Sequence, residues 1–322
     1  MTNSVSNSPP VLQPPFYKPF GALLKERFPY KVYKVTIDAG MTCPNIDGRV
    51  ATGGCTYCDN TSFSPALRGG DPRILRQIES GRAFYKERYG ASHFLAYFQT
   101  FSNTYAPIEK LKSLWDKALG AEGIVGMSVG TRPDCIDEEK LRLLQAYAEA
   151  DPGRLICIEY GMQTMHDATA TAINRGHDHQ STIDAMELTR RIAPDVHVCL
   201  HIIVGLPGET ADMIRESAAE CGRLRPDSVK VHHCYVFDNT KLAIDWREGR
   251  YRSLEFDEYV GLAADVLERL PSSTYIQRLT GEINAKGVLA PHWGKSKLQV
   301  VAAISDELAR RGRGQGSCYP SD

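Results

Sequence analysis

The sequence lacks a long apolar run, an excess of charge of either sign, and an even number of cysteines. No stretch approaches the roughly 18 apolar residues that a membrane-spanning helix needs, so we predict no membrane contact. A formal net charge of −1 over 322 residues disfavours a protein that binds nucleic acid through its overall charge. Nine cysteines cannot all pair within one chain, which disfavours a framework of disulfides.

The first 15 residues lack the basic segment and following apolar stretch of a secretory leader. They are rich in Pro, Ser and Asn, a composition that predicts disorder. We therefore expect a cytoplasmic protein, in a compartment where disulfides are rare. A basic and aromatic stretch follows at 18–34, and it is typical either of a solvated surface or of a contact with RNA.

Six apolar, β-branched segments of strand length alternate with helical patterns. The strand segments are 31–38, 93–99, 123–130, 154–161, 196–205 and 228–237. The helical patterns are 71–89, 107–119, 137–150, 165–173, 181–193 and 209–223. This alternation predicts an α/β fold with a parallel sheet. Six units are fewer than the eight of a complete TIM barrel, so the pattern allows an open six-unit barrel or a doubly wound sheet.

The last third of the chain continues without a long linker. It contains predicted helices near 256–269 and 295–311, with an extended piece at 274–282 between them. We therefore expect a small α/β extension that packs on the core. The expected regions are a disordered 1–15, a core at 16–237, a C-terminal extension at 238–311 and a flexible tail at 312–322.

Polar and glycine-rich residues follow the predicted strands. In either kind of parallel sheet the site lies at the carboxyl ends of the strands, so these residues are the candidates for function. They include Tyr57, Gln99, Ser102, Asn103, Thr131, Arg132, Asp134, Cys135, Glu159, Arg175 and Gly205. His201, His232 and His233 lie on strands five and six, where they could move protons if they face the barrel lumen, and the alternative for each is a satisfied core histidine.

Three cysteines follow the first predicted strand, in the segment CPNIDGRVATGGCTYC (43–58). A disulfide is disfavoured by the compartment, and a redox dithiol of Cys55 and Cys58 would leave Cys43 without a role. Structural zinc would need a remote fourth ligand, such as His93 or a late cysteine. A 4Fe–4S cluster on three thiolates would keep one iron open to a further ligand. The spacing alone leaves zinc and the cluster as alternatives.

The surroundings of the cysteines favour the cluster. The segment follows the first strand, which places a metal at the mouth of a barrel. Tyr57 would put an aromatic ring beside the metal, where a purine could stack. Gly53 and Gly54 allow the backbone to turn tightly around the sulfur atoms.

These motifs resemble the radical S-adenosylmethionine (radical SAM) family, whose cluster motif has an aromatic residue before its last cysteine, as Tyr57 precedes Cys58. The upstream gap is usually three residues, whereas eleven residues separate Cys43 from Cys55, a departure typical of the YhcC-type subgroup. The motifs AYFQTFSNTYA, GTRPDC and INRGHD also resemble that subgroup, over about residues 18–300. The subgroup is similar to the radical SAM core of the Elongator catalytic subunit. The resemblance implies an α/β fold with a partial (β/α)6 TIM-like barrel.

The resemblance also implies an enzyme with two cofactors. A 4Fe–4S cluster would bind to Cys43, Cys55 and Cys58, and S-adenosylmethionine (SAM) would bind to the fourth iron. One electron from the reduced cluster would cleave SAM, and the resulting 5′-deoxyadenosyl radical would take a hydrogen atom from a substrate. A flavodoxin or ferredoxin is implied as the electron donor.

The contacts to SAM are expected in the loops after strands two and three. The strand-two loop usually reads Gly-Gly-Glu in the family, but here it reads QTFSN (99–103). Gln99, Ser102 and Asn103 are candidate acceptors for the SAM ammonium group, with a capped turn as the alternative. The candidates to bind ribose hydroxyls or a carboxylate after strand three are Thr131, Arg132 and Asp134.

The later strands contribute further candidates. Glu159 would pair with Arg175 in a structural ion pair, or one of the two would contact SAM. Gly205 would lie beside adenine, or would only form a strand-to-helix turn. Cys135 is a candidate hydrogen-atom donor, and the alternative is a small buried side chain.

The substrate is predicted only through the resemblance. Similarity to the Elongator core suggests a wobble uridine in tRNA, which the stretch at 18–34 could contact through phosphates and stacked bases. The alternatives are a small molecule, a protein side chain, or a metal-binding scaffold without catalysis.

Overall fold

A parallel sheet of seven strands lies at the centre of the fold. The computed structural model describes residues 16–320 except 63, 65, 68 and 282–286, so the predicted disorder of 1–15 lies outside the described residues. In chain order the elements are α1 (Phe20–Arg27), β1 (Val32–Ile37), α2 (Ile74–Tyr89), β2 (His93–Phe98), α3 (Ile108–Leu119), β3 (Ile124–Thr131), α4 (Glu138–Ala150), β4 (Leu155–Gln163), α5 (Asp167–Ala172), α6 (Gln180–Ile192), β5 (His197–Val204), α7 (Ala211–Arg223), β6 (Ser228–His233), β7 (Val236–Phe237), α8 (Lys241–Arg247), α9 (Phe256–Arg269), β8 (Tyr275–Arg278), β9 (Val288–Ala290) and α10 (Lys297–Arg311).

The sheet keeps the strands in chain order, β1 to β6, and ends with β8. All of its neighbouring strands are parallel, and β1 to β6 occupy the six predicted strand segments. Helices α2 to α7 occupy the six predicted helical patterns. The prediction of an α/β fold built from six consecutive units is therefore confirmed.

The sheet curls until its two edge strands approach each other. The Lys34 ammonium group on β1 donates to the Gln277 side-chain oxygen on β8 at 2.8 Å. The backbone N–H of Ile276 on β8 donates to the carbonyl of Lys18, which precedes β1, at 2.7 Å. The result is the predicted partial barrel, with β8 as a seventh strand. This strand lies within the extended piece predicted at 274–282, but its place in the sheet beside β6 was not predicted, because four residues that include polar ones do not show a clear strand pattern.

The strands are buried on both faces, as expected for a parallel sheet covered by helices. Every residue of β4 except its last is buried. On the outer side, Trp115 of α3 and Tyr160 of β4 are fully buried. The inner side carries the polar residues described below. Within the described part of the chain, the buried charged residues of this sheet therefore lie in the barrel interior.

The C-terminal extension shares its core with the barrel. Tyr259, Val266 and Leu267 of α9 belong to the same hydrophobic cluster as the sheet. The described part of the predicted flexible tail, 312–320, also lies against the protein. The Cys318 N–H donates to the Glu268 carbonyl at 2.7 Å, and the Gly316 N–H donates to the Leu267 carbonyl at 3.1 Å. These hydrogen bonds argue against a freely moving tail.

None of the helices in the described ranges is long and apolar enough to cross a membrane.

Candidate cluster and cofactor site

The three cysteines lie in the loop between β1 and α2, at the carboxyl end of the sheet. The loop is held at both ends of its cysteine motif. The Gly54 N–H donates to the Asn45 carbonyl at 2.8 Å, and the Cys58 N–H donates to the Cys55 carbonyl at 3.0 Å. The Thr56 N–H donates to the carbonyl of Ile173, just beyond α5, at 2.9 Å. Residues between the paired cysteines are therefore fixed to the barrel.

Hydrogen-bond donors surround the sulfur atoms. Arg175 Nη1 lies 3.5 Å from Cys55 Sγ, and Asn45 Nδ2 lies 3.6 Å from the same sulfur. Asn60 Nδ2 lies 3.5 Å from Cys58 Sγ. A guanidinium and amide groups stabilise thiolates, because they donate to the charged form of the sulfur. The environment therefore suits cysteines that serve as metal ligands.

The three thiols are electrostatic neighbours. Burial raises the pKa of Cys43, Arg132 and Arg175 oppose that rise, and Cys55 adds to it. The pKa of Cys58 is raised to about 12, first by desolvation and then by Cys55 and Cys43. Thiolates that repel each other need a positive centre among them, which iron would supply. Among the residues that the structure describes, no group of three His, Cys, Asp or Glu side chains is arranged around a single metal ion.

A cavity of about 240 Å³ opens beside these cysteines. Seven of the predicted site residues line it: Cys55, Tyr57, Cys58, Gln99, Thr131, Glu159 and Arg175. Apolar side chains complete its wall, among them Phe101, Ile203 and Phe237. The combination of an apolar wall and a few convergent polar groups is typical of a cofactor or substrate site.

Ser102 and Asn103 do not line the cavity. Both are fully buried, and their side chains hold the loop after β2 against the end of β3. Ser102 Oγ lies 2.9 Å from Thr131 Oγ1, and Asn103 Nδ2 donates to the Gly130 carbonyl at 2.9 Å. These contacts form a capped turn, which was the alternative, and a contact of either residue to SAM stays a prediction.

Arg132 and Asp134 bind each other and also lie outside the cavity wall. Arg132 donates to both carboxylate oxygens of Asp134, at 2.8 and 2.7 Å. Arg132 Nη1 also donates to the Arg175 carbonyl at 2.7 Å. This pair therefore positions the backbone of Arg175. Cys135 is buried beside it, and burial and the Asp134 charge raise the pKa of its thiol to about 11.

Glu159 and Arg175 do not pair with each other, so the predicted ion pair between them is wrong. The partners of Glu159 are Lys34 at 2.8 Å, Lys230, and His201 at 3.0 Å. Burial alone would raise the pKa of Glu159, but the two lysines and His201 hold it well below its usual value. Arg175 instead donates to the Gly161 carbonyl at 2.7 Å and to Cys55.

Gly205 lies at the turn after β5, outside the cavity wall. Its φ is +88°, and a Cβ there would lie 2.7 Å from Leu254 Cδ1. Its carbonyl accepts from the Tyr251 hydroxyl at 2.7 Å. The glycine therefore forms a strand-to-helix turn that packs against the extension, and its contact to adenine stays a prediction.

Several polar residues in the barrel interior were missed from the sequence. Lys34 and Lys230 lie on predicted strands, and Tyr97 and Arg278 line the cavity. A lysine within a segment of apolar residues, as in SVKVHH, is a signal that could have identified Lys230, because a buried lysine needs a partner. Asn45 offers no such signal, because its role depends on the fold of the loop.

Comparisons with known proteins agree with this geometry. The model of the Radical SAM superfamily matches residues 45–221, and that of the Radical_SAM C-terminal domain matches 226–310. The protein YhcC of Escherichia coli is 33% identical over 293 residues, which are 91% of this chain and 92% of that protein. A tRNA uridine(34) acetyltransferase of Methanocaldococcus jannaschii is 28% identical over 161 residues, 48% of this chain and 28% of that protein.

A solved structure has the same fold. The archaeal Elp3 of Methanocaldococcus infernus aligns with a TM-score of 0.64 and 18% identity, over 88% of this chain and 64% of that one. The family match confirms the predicted enzyme class and its two cofactors, a 4Fe–4S cluster and SAM. The chain is therefore a member of the radical SAM superfamily, of the YhcC type and with a core like that of Elp3.

Proposed function

We propose that the cavity is the place where SAM is cleaved and a substrate hydrogen atom is removed. The observation that carries this proposal is the position of Cys55 and Cys58 in the cavity wall, with Arg175 and Asn45 donating to Cys55 and Cys43 as an electrostatic neighbour. When bound, the cluster and SAM supply one-electron cleavage of SAM and a 5′-deoxyadenosyl radical that abstracts hydrogen.

The residues of this chain have three tasks in that reaction. Cys43, Cys55 and Cys58 hold the cluster, and the donors to their sulfur atoms stabilise its negative charge. Gln99 and Thr131 line the cavity, and the Gln99 side chain has an oxygen atom that can accept from an ammonium or a hydroxyl group of SAM. The apolar wall with Phe101 and Phe237 excludes water, which protects a radical from side reactions.

We propose a uridine of tRNA as the substrate, by analogy with a relative. Its support is the partial match to a tRNA uridine(34) acetyltransferase. The basic and aromatic stretch adds little to that support. Phe20 and Phe28 are buried, Tyr30 stacks on His93 with 3.5 Å between ring centroids, and Lys34 pairs with Glu159. A small-molecule or protein substrate therefore remains the alternative, and a flavodoxin or ferredoxin remains the proposed electron donor.

The test is the formation of 5′-deoxyadenosine. The protein is purified without oxygen, reconstituted with iron and sulfide, and incubated with SAM and a strong reductant. We expect product from the wild type and from Cys221→Ala, since Cys221 is buried in α7 away from the cavity. We expect none from Cys55→Ala. Equal product from wild type and Cys55→Ala would refute the proposal.

The substrate is tested in the same assay. Transfer RNA and a protein-free metabolite extract are added separately, and the yield of 5′-deoxyadenosine is compared with that of SAM alone. Stimulation by tRNA, with a mass change on a uridine, supports the tRNA proposal. Stimulation by the metabolite extract alone would contradict it and favour the small-molecule alternative.

A further inference from the structure

The floor of the cavity contains a buried carboxylate whose two oxygen atoms both accept hydrogen bonds. Glu159 is almost fully buried, with 1% of its surface exposed. Its Oε1 accepts from Lys34 at 2.8 Å, and its Oε2 accepts from Lys230 and from His201. One negative charge thus faces two ammonium groups. A single carboxylate can neutralise only one of them.

Arg278 adds a third cation at the same place. It lies on β8 in register with Lys230, and its side chain lines the cavity. Within the described part of the chain, it forms no side-chain hydrogen bond or ion pair. Burial and the nearby cations Lys230 and Arg278 lower the pKa of His201 to about 4, so this imidazole adds no charge near neutral pH. Three cations therefore face one carboxylate.

This imbalance favours an anionic ligand at the half-buried Arg278, which lies beside the buried Lys230. A cation removed from water without a partner costs free energy, and an anion in contact with it recovers that cost. The guanidinium of Arg278 has the planar shape that binds a carboxylate or a phosphate through two hydrogen bonds. The Tyr97 hydroxyl accepts from Lys230 at 2.8 Å and is also hydrogen-bonded to Glu159, so these groups hold one another in place on the floor.

The cationic floor is separate from the cluster end of the cavity. Arg175, which donates to Cys55, also donates to the carbonyl of Gly161. Gly161 lies two residues beyond Glu159 on β4, which corresponds to about 7 Å along the strand. A ligand group bound at the floor therefore lies deeper in the barrel than the thiols do.

We propose that the cavity floor binds an anionic group of the substrate, a carboxylate or a phosphate, through Arg278. The inference rests on the proposed function, because it assigns this group to the molecule that reacts beside SAM. It restricts the substrate class to molecules with an acidic group that reaches into the barrel. The methionine carboxylate of SAM has the same chemistry, so the test has to separate these two sources.

The test uses the reconstituted holoenzyme and measures Tm against inorganic phosphate and, separately, acetate. Sodium chloride at equal ionic strength is the reference, and each titration is done with and without saturating SAM. We expect phosphate or acetate to raise Tm in a saturable way in the presence of SAM. In Arg278→Gln the apparent affinity should fall by about tenfold or more, and Arg278→Lys should retain part of it. Arg76→Gln, a change of the same kind at an exposed position of α2, should behave as the wild type.

Three results would overturn the inference: no saturable rise in Tm, an unchanged response in Arg278→Gln, or a response that saturating SAM abolishes. The last result would assign the floor to SAM itself. A crystal of the wild-type protein with selenate provides a second measurement that needs no variant. An anomalous peak beside the Arg278 guanidinium supports the inference, and selenate bound only elsewhere contradicts it. Neither measurement depends on SAM cleavage, so failure here is distinguishable from failure of the proposed function.

Discussion

At the scale of single residues, the side chains around Cys55 give more information about the kind of metal site than its spacing from the other cysteines does. Spacing left zinc and an iron–sulfur cluster as alternatives, but the side chains that donate to the sulfur carry additional information. Arg175 and Asn45 both donate to Cys55, and they come from different parts of the chain. Hydrogen bonds to the sulfur ligands help to set the reduction potential of such a cluster. Removal of a donor should therefore change the reduction potential of the cluster as well as the activity of the enzyme.

The first prediction concerns Asn45, which is fully buried. Asn45→Ala removes one donor to Cys55 Sγ while it leaves the three cysteines in place. The reduced cluster carries more negative charge than the oxidised one, so it loses more stabilisation. We expect a more negative midpoint potential in a redox titration of the reconstituted protein. The control is Asn239→Ala, whose amide donates to Asp59 rather than to sulfur. Equal potentials in Asn45→Ala and the wild type would contradict this role.

At the scale of elements, the strands and helices of the barrel could be predicted because their sequences are strongly periodic. The strand β8 was predicted only as an extended piece, because a strand of four residues does not show in its sequence that it joins the sheet beside β6. The candidate site was predicted in part. Side chains that end strands, such as Gln99 and Thr131, do line the cavity. Asn103 does not, because its NH2 group donates to nearby backbone carbonyls, and sequence does not show which carbonyls those are.

The second prediction compares two glycines of the turn after β5. Both have a positive φ, +88° at Gly205 and +79° at Gly208, but only Gly205 is close to another side chain. Gly205→Ala adds a clash with Leu254 to the backbone strain, whereas Gly208→Ala adds the strain alone. We expect Gly208→Ala to cost about 1 kcal/mol in the free energy of unfolding. Gly205→Ala should cost about 1–3 kcal/mol more. Urea unfolding measures both, and equal losses would contradict the packing described for Leu254.

The third prediction concerns the C-terminal extension. Removal of 238–322 takes away α9 and β8, which exposes the edge of β6 and the core face of α7. Exposed edges and apolar faces promote aggregation. We expect 1–237 to be insoluble, or to lack a cooperative unfolding transition in calorimetry, while 1–320 unfolds as the full chain does. A soluble 1–237 with cooperative unfolding would show that the extension is a separate domain.

At the scale of the whole molecule, the barrel combines an apolar outer core with a polar interior. Buried histidines are part of that interior. Burial lowers the pKa of His233 to about 3, and it lowers that of His197 to about 4. These imidazoles are neutral in the folded protein near neutral pH, whereas in the unfolded chain they take up protons below about pH 6.5. The unfolded state therefore binds more protons as the pH falls, and the stability decreases.

The fourth prediction is a loss of stability between pH 7 and pH 5. A histidine that stays neutral in the folded state contributes about 2 kcal/mol to that loss. Since His233 is buried, its replacement in His233→Gln should make the free energy of unfolding less dependent on pH over this range. His292→Gln is the matched control, because His292 is exposed. Urea unfolding at the two pH values measures the difference. A pH dependence that His233→Gln leaves unchanged would contradict the account of this residue.

The central claim is that three thiolates hold a cluster with one iron open to SAM. Electron paramagnetic resonance of the reduced, reconstituted protein tests it most directly, because SAM bound to iron changes the spectrum of the cluster. We predict that SAM changes the spectrum of the wild type and of Cys318→Ser, and that Cys58→Ser gives no such cluster signal. A cluster spectrum that SAM leaves unchanged, or one that persists in Cys58→Ser, would contradict the claim.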